Sequence, residues 1–315
     1  MKNKSIPIYQ PFIGEKEKEN VLQCIEDNWI SSKGEFINRF ENEFCSFTGS
    51  KYASSVTNGT VALHLALLAL DVGPGDEVIV PVLTYIASIN AIKYVGAKPV
   101  FIDSKIDTWN IDENKIEREI TSKTKAIMAV HLYGNSCNMN SISRICKKHE
   151  LFLIEDAAES FGTYYNGLHA GTIGDIGTFS FFGNKTITTG EGGMVVTKNN
   201  NLIKKINVLK NQGLSNKKEY FHDIIGYNYR MTNICAAIGL GQLSKAKKIL
   251  KLKKTIFGEY KRLLENEDVV FPLDEENSIN SYWMVSLLFR NQNVCNHVRK
   301  KLEVNKIETR PIFPL

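Results

Sequence analysis

Lys185 is the residue of this sequence best placed to act as a nucleophile. It ends the stretch Gly177-Thr178-Phe179-Ser180-Phe181-Phe182-Gly183-Asn184-Lys185. The aromatic run of Phe179, Phe181 and Phe182 reads as a buried strand that delivers the lysine into a turn. A Gly-rich connection then leads to a second apolar run, Met194-Val195-Val196-Thr197. An ammonium at the mouth of two such strands is costly to desolvate. Burial therefore lowers the amine's pKa and frees it for attack on a carbonyl, as Schiff-base chemistry requires. Taken alone, a lysine on a turn is also an ordinary surface residue.

Asp156 supplies the second group. It ends the run Leu151-Phe152-Leu153-Ile154-Glu155-Asp156, which reads as a central parallel strand. Its carboxylate then lies at the C-terminal end of the strand, where open α/β sheets bind ligands. A carboxylate facing a pyridinium nitrogen, with a lysine that forms a Schiff base, is the minimal equipment for pyridoxal phosphate (PLP) chemistry. By itself, Asp156 reads equally well as the N-cap of a following helix.

Three segments then act together: Glu155-Asp156-Ala157-Ala158-Glu159-Ser160, Ser180-Phe181-Phe182-Gly183-Asn184-Lys185 and Gly226-Tyr227-Asn228-Tyr229-Arg230-Met231. They resemble the sugar aminotransferases of the DegT/DnrJ/EryC1/StrS family, in order, from about Ile6 to the last residue. The resemblance implies a fold-type I PLP-dependent transferase acting on nucleotide-linked keto sugars. Lys185 would carry the cofactor and Asp156 would hold its ring nitrogen protonated. Asn228 would reach the phosphate of the partner subunit's PLP, with Arg230 nearby, so the active sites would be shared across a homodimer.

The elements that must position these groups follow from patterning. A βα alternation from Tyr52 to Asp156 argues a doubly wound, mostly parallel sheet with flanking helices. Its strand-to-helix turns lack the GxGxxG fingerprint of a nicotinamide dehydrogenase. The turn Thr57-Asn58-Gly59-Thr60 opens the helix Val61 to Leu70 with free backbone N–H groups and a favourable dipole, a ready phosphate seat. Gly59 and Thr60 are the expected phosphate donors, with the Ser180 hydroxyl. Tyr85, at the start of a helix from Thr84 to Tyr94, is placed to stack on the pyridine ring, or else is a partly buried core tyrosine. His64 reads as a packing histidine. His131 could reach the pocket from a strand end.

Glu159 departs from the glutamine usual in the family, which hydrogen-bonds the cofactor's phenolic oxygen. A glutamate facing a phenolate is repulsive unless one of them carries a proton. Within the family, glutamate points to the branch that handles GDP-linked sugars. The resemblance therefore implies transfer of an amino group from L-glutamate to GDP-4-keto-6-deoxymannose, with UDP- or dTDP-linked keto sugars as the close alternative. The product would be a 4-amino sugar for O-antigen, capsule or another surface glycan. A non-catalytic scaffold that keeps the dimer and the cofactor is the rival reading.

The remaining elements are read as follows. Serines in the loop Asn28 to Glu35 offer an N-cap for the helix Phe36 to Thr48. Asp112 to Ile120 is helical, Asn233 to Asn266 is one long helical run, and Tyr282 to Phe289 is a strand. Residues 1–235 are expected to form the large PLP-binding domain with an N-terminal arm. Residues 236–315 are expected to form the start of a smaller domain, incomplete because family members continue further.

Bulk composition sets bounds. The chain has 315 residues, 39 basic and 34 acidic, for a formal charge of +5. The lysines are spread along helical stretches such as Lys245 to Lys254, which reads as a solvated helix face and not as a nucleic-acid site. The 6 cysteines show neither CxxC pairing nor zinc spacing, so reduced thiols and no metal centre are expected. No window approaches the roughly 20 apolar residues of a membrane span, and the reading is a cytoplasmic enzyme.

Overall fold

The computed structural model describes residues 5–215 and 218–313. The helices are α1 (Glu15–Glu26), α2 (Glu35–Thr48), α3 (Gly59–Ala69), α4 (Ile86–Tyr94), α5 (Met139–His149), α6 (Asn200–Lys210), α7 (Asn233–Ser244), α8 (Ala246–Leu263) and α9 (Gln292–Val304). The main strands are β1 (Tyr52–Val56), β2 (Glu77–Pro81), β3 (Lys98–Ile102), β4 (Thr124–Val130) and β5 (Phe152–Asp156). After the short β6 (Tyr164–Tyr165) and β7 (Leu168–His169) come β8 (Ile176–Ser180) and β9 (Gly193–Thr197). Three two-residue strands follow: β10 (Val269–Val270), β11 (Ser278–Ile279) and β12 (Leu288–Phe289).

The central sheet has 7 strands in the order β1-β9-β8-β5-β4-β2-β3. β2, β3, β4, β5 and β8 pair in parallel, and β9 alone runs against its neighbours β1 and β8. This is the mostly parallel α/β architecture expected. β2 and β9 are buried at every position, as continuous apolar runs covered on both faces should be.

One face of the sheet packs on α3, whose Ala62, Leu63, Leu65, Ala66 and Leu67 are buried with Val78, Val80, Met128 and Ile154. Near the Lys185 turn, the core is aromatic. Phe40 and Phe44 of α2 meet Phe179 and Phe181 edge-on, with ring centroids 5.0–5.6 Å apart. Each fully buried ring contributes roughly 1.5–3 kcal/mol by area, and each edge-to-face pair about 0.5–1.5 kcal/mol more. Phe179 and Phe181 thus nail β8 and the start of its turn to α2. Phe182 is 48% exposed, so the aromatic run is not buried throughout. Side chains alternate across a strand, and Phe182 falls on the open side.

Several expected elements differ. Residues 112–120 form only two 3₁₀ turns, Glu113–Lys115 and Glu117–Glu119; the Asp112 side chain caps the first, and the second has no side-chain cap. The long helical run breaks at Lys245, whose φ/ψ of −111°/9° ends α7. Tyr282 to Phe289 contributes only the two residues of β12, because Tyr282 (φ 49°) sits in the left-handed region. No serine caps α2. Its N-cap is Gly34 at φ 149°, and the Asn233 side chain fills the space where a Cβ would lie. Asn233 Oδ1 then accepts from Phe36 N at 3.1 Å, so the helix is capped from α7.

Candidate active site

The Lys185 turn starts where β8 ends. Phe181 N donates to Gly192 O, Thr189 N to Phe181 O and Lys185 N to Phe182 O, at 2.8–2.9 Å. These bonds close the connection between β8 and β9 and project Lys185 inward. Two distant residues pin its backbone: Tyr9 Oη donates to Lys185 O at 2.6 Å, and Trp283 Nε1 donates to Asn184 O at 2.8 Å. The Lys185 ammonium lies 3.7 Å from Glu159 Oε1 and 4.1 Å from the centroid of the Trp283 ring.

Burial pushes the Lys185 amine below the usual lysine range, against the opposing pull of Glu159 and Asp156. Burial also raises the Glu159 carboxyl to about 7; Lys185 and the Tyr133 N–H pull it down, and Asp156 pushes it up. Burial thus moves the two groups toward each other, the amine down and the carboxyl up.

Asp156 ends β5, opposite Val130 of β4 and Thr178 of β8, at the C-terminal edge of the parallel strands. Its Oδ2 accepts from Ser88 Oγ at 2.7 Å and its Oδ1 from Ala158 N at 3.1 Å. The carboxylate is thus oriented from both sides. It works within a strand-end loop and does not cap a helix: the residues after it form turns.

Gly59 and Thr60 open α3 beneath the same edge. Asn58 Oδ1 caps Val61 N at 3.0 Å, which leaves the earlier N–H groups of the first turn without intrahelical acceptors. A Cβ on Gly59 would lie 2.8 Å from Ser180 Cβ, so the glycine lets the helix end reach the serine. Tyr85 is itself the N-cap of α4, which begins at Ile86 and not at Thr84. Tyr85 is 57% exposed with its ring 5.4 Å from Phe313, so it lines an open surface and is no core tyrosine.

Asn228 stands in a second cluster. Its Oδ1 accepts from Arg230 Nε and Nη2 at 3.1 and 2.9 Å, on a segment that bridges to Asn211 and Val56. A cavity of about 350 Å³ opens beside Arg230, between Lys33, Ser55 and Lys210, and Lys185 is not among its lining residues. His64 is buried, with Nδ1 3.2 Å from Tyr229 Oη, in a packing role as expected.

His131 does not reach the pocket. It is fully buried, its Nδ1 accepts from Cys137 N at 3.1 Å, and its Nε2 lies 3.0 Å from Glu155 Oε2. Glu155 also receives the N–H groups of Gly171, Ile173 and Gly174 at 2.7 Å each. Burial alone would raise this carboxyl, but His131 and the backbone donors outweigh it and hold it low.

Tyr133 enters the site instead. It holds a left-handed φ of 53°, donates its N–H to Glu159 Oε2 at 2.8 Å, and stacks on Trp283 at 6.2 Å. Such a strained non-glycine residue costs of order 1–3 kcal/mol and persists where its surroundings over-determine it. Tyr9, Ser88, Tyr133 and Trp283 were not legible as site residues. The one signal was Ser88, a turn after Thr84 in the helix that opens over the pocket.

These residues also fit the cofactor that the chemistry calls for. Asn184 Oδ1 and Thr186 Oγ1, on either side of Lys185, are buried without a hydrogen-bond partner among the described residues. A helix N-terminus with a serine hydroxyl suits a phosphate, and an oriented carboxylate suits a ring N–H. Among the described residues no cluster of His, Cys, Asp and Glu could hold a metal ion, and the 6 cysteines are free.

A mostly parallel α/β sheet with one reversed strand, carrying a buried lysine and an aspartate at its C-terminal edge, is the architecture of a fold-type I PLP-dependent transferase. The chain belongs to the DegT/DnrJ/EryC1/StrS aminotransferase family, whose pattern matches residues 11–315. It is 54% identical over 310 residues to the GDP-perosamine synthase of Escherichia coli O157:H7, across 98% of this chain and 85% of that protein. The GDP-perosamine synthase of Vibrio cholerae is 46% identical, across 98% of this chain and 84% of that protein. Among solved structures, Spr1654 of Streptococcus pneumoniae, assigned as a sugar aminotransferase and solved in its PMP form, superposes with a TM-score of 0.93. It is 29% identical, and the match covers 99% of this chain and 84% of that one.

Proposed function

We propose that this chain is a PLP-dependent aminotransferase that moves the amino group of L-glutamate to GDP-4-keto-6-deoxymannose, giving GDP-perosamine, a 4-amino sugar nucleotide. The observation that carries the reading is the meeting of Lys185, Glu159 and Asp156 at one sheet edge in a chain so similar to the two perosamine synthases. UDP- and dTDP-linked substrates are outcomes of the test below.

PLP, when bound, supplies an electron sink for negative charge at the carbon that loses its proton. The chain's own residues do the rest. Lys185, its amine pushed below the usual lysine range by burial, is the nucleophile and the base that takes the proton from the amino donor's Cα. Asp156, held by Ser88 and Ala158, keeps the proton on the ring nitrogen. The N–H groups of Gly59 and Thr60 and the Ser180 hydroxyl bind the phosphate. Tyr85 covers a ring face. Glu159, able to hold a proton at neutral pH, offers it to the phenolic oxygen and so avoids charge repulsion.

The active assembly is a homodimer in this reading, with Asn228 serving the partner subunit's phosphate and Arg230 nearby, donating to Asn228. The exposure of Asn228 supports it. The reading divides the chain into a cofactor domain over residues 1–235 and a smaller one over 236–315; that boundary falls inside α7, which packs on α1 and α2 of the first segment. No helix of the described residues is long and apolar enough to cross a membrane. The reading places the enzyme in the cytoplasm, where nucleotide sugars are made.

The test is to add PLP to the purified chain, record the visible spectrum, add L-glutamate, and then supply each keto sugar nucleotide. A visible band that glutamate bleaches and GDP-4-keto-6-deoxymannose restores, with a GDP-amino sugar in the mass spectrum, is the expected result. Restoration only by a UDP- or dTDP-sugar replaces the substrate. A band that glutamate leaves unchanged makes the chain a non-catalytic scaffold.

A further inference from the structure

The Lys185 turn is held by more than its own hairpin. Trp283 comes from the distant segment after β11 and is only 5% exposed. Its Nε1 donates to Asn184 O, next to the lysine, at 2.8 Å. Its carbonyl accepts from Lys253 Nζ of α8 at 3.0 Å, and its ring lies parallel to that of Tyr133, 12° from coplanar. One indole is therefore fixed at its N–H, its carbonyl and its ring, and Lys185 Nζ sits 4.1 Å from the ring centroid. Glu159 faces the same ammonium from 3.7 Å.

A buried tryptophan that merely fills a core has no reason to meet an ammonium face-on. A ring face is negative, and a cation held over it in a desolvated site gains energy that an aliphatic wall cannot supply. This gain offsets part of what burial takes from the charged lysine, and the contact is directional.

We propose that Trp283 is a positioning residue for the amino-transfer reaction: its indole face and Glu159 form the seat in which the Lys185 amino group rests whenever it is not in covalent use. The proposal rests on the lysine-centred reading above. Lys185 would be released from the cofactor in the first half-reaction and would return to it only at the end of the second, and an untethered lysine side chain has many rotamers to lose. A fixed seat keeps its nitrogen within reach of the carbon it serves. The charged and titratable groups around the seat are Glu159 and Asp156 after β5, Tyr133 after β4, Tyr9 from the N-terminal arm and Lys253 from α8. Substituting the ring changes none of them.

The test replaces Trp283 alone with mono-, di- and trifluorinated tryptophan in the full chain. Fluorine drains the ring face and leaves size, N–H and fold in place. Lys185 in the apo protein is labelled by trace acetic anhydride across a pH series, and the Lys185 peptide is quantified by mass spectrometry. The expected result is a labelling midpoint that falls stepwise with fluorination, by about one pH unit across the series, the size of a desolvated cation–π contact. A midpoint that stays constant overturns the proposal, because a ring that only shields the amine is indifferent to its electron density. A uniform change in labelling rate without a shift of midpoint has the same meaning. The PLP band and its bleaching by L-glutamate are recorded on the same unlabelled samples. Loss of that response in the unsubstituted chain would sink the transaminase reading, while the midpoint still judges the seat.

Discussion

Glu159 Oε1 stands 3.7 Å from Lys185 Nζ, an ion-pair distance that is too long for a direct charge-assisted hydrogen bond. The other Glu159 oxygen takes the Tyr133 N–H at 2.8 Å. The carboxyl is therefore oriented by the backbone while its face toward the lysine stays free to exchange a proton.

This arrangement makes stability depend on pH. Glu159 titrates at about 7 in the folded chain, above the 4.5 of an ordinary glutamate. Between those values the folded state binds more protons than the unfolded one, so stability falls as pH rises through this window and levels off above it. Across the window the loss is up to about 3 kcal/mol. Urea unfolding of the apo chain at about pH 5 and about pH 8, at one protein concentration, should show this drop in the parent and not in E159Q. Equal drops in both would show that Glu159 does not titrate there.

Lys185→Ala removes the group proposed to move the proton. Turnover should fall by at least about 10²–10⁴-fold, as for the loss of a general base, and more where the covalent role counts. PLP retained on the variant, seen after dialysis, would separate binding from chemistry. Normal turnover is incompatible with the assignment.

Ser88→Ala strips Asp156 Oδ2 of its 2.7 Å donor. A buried carboxylate left short of a partner costs about 1–3 kcal/mol. The Tm of the apo chain should drop accordingly, and PLP should bind more weakly because Asp156 is no longer oriented. Unchanged PLP affinity in this variant would deny Ser88 a part in orienting Asp156 for the cofactor.

Gly59→Ala places a Cβ 2.8 Å from Ser180 Cβ. Overpacking of this kind costs typically about 1–3 kcal/mol, and here it parts the helix end from β8. The expected outcome is PLP affinity reduced about tenfold or more, the equivalent of roughly 1.4 kcal/mol. Adding Ser180→Gly should restore the packing of α3 and recover part of the affinity, though not the contribution of the hydroxyl. A G59A chain that binds PLP as the parent does would move the phosphate seat elsewhere.

What could be read from residues alone was local. The apolar runs ending in Asp156 and beginning the Lys185 turn marked strands by their continuity, and the two groups chemistry needs stood at the strand ends. Gly59 before an apolar helix announced a helix N-terminus. The sheet itself followed from βα alternation, since a continuously apolar strand has to be covered on both faces. Where periodicity was short, as over residues 112–120 and 282–289, a cap and a left-handed tyrosine decided the outcome.

The environment of the lysine was decided only by the tertiary structure. Tyr9, 176 residues away, holds its carbonyl; Trp283, 99 residues from Asn184, pins the turn; and Ser88, 68 residues from Asp156, aims the carboxylate. His131 was drawn to Glu155 and away from the pocket, and Tyr133 took its place. Local pattern specifies which face of a strand or helix is buried, but the partners of a buried polar group are set by whichever distant segment packs there. The amino-acid sequence thus determined that a lysine and an aspartate would meet at the edge of a sheet. The folded chain determined which carboxyl keeps its proton, and which ring the lysine rests on, because both depend on burial created by segments far apart in the chain.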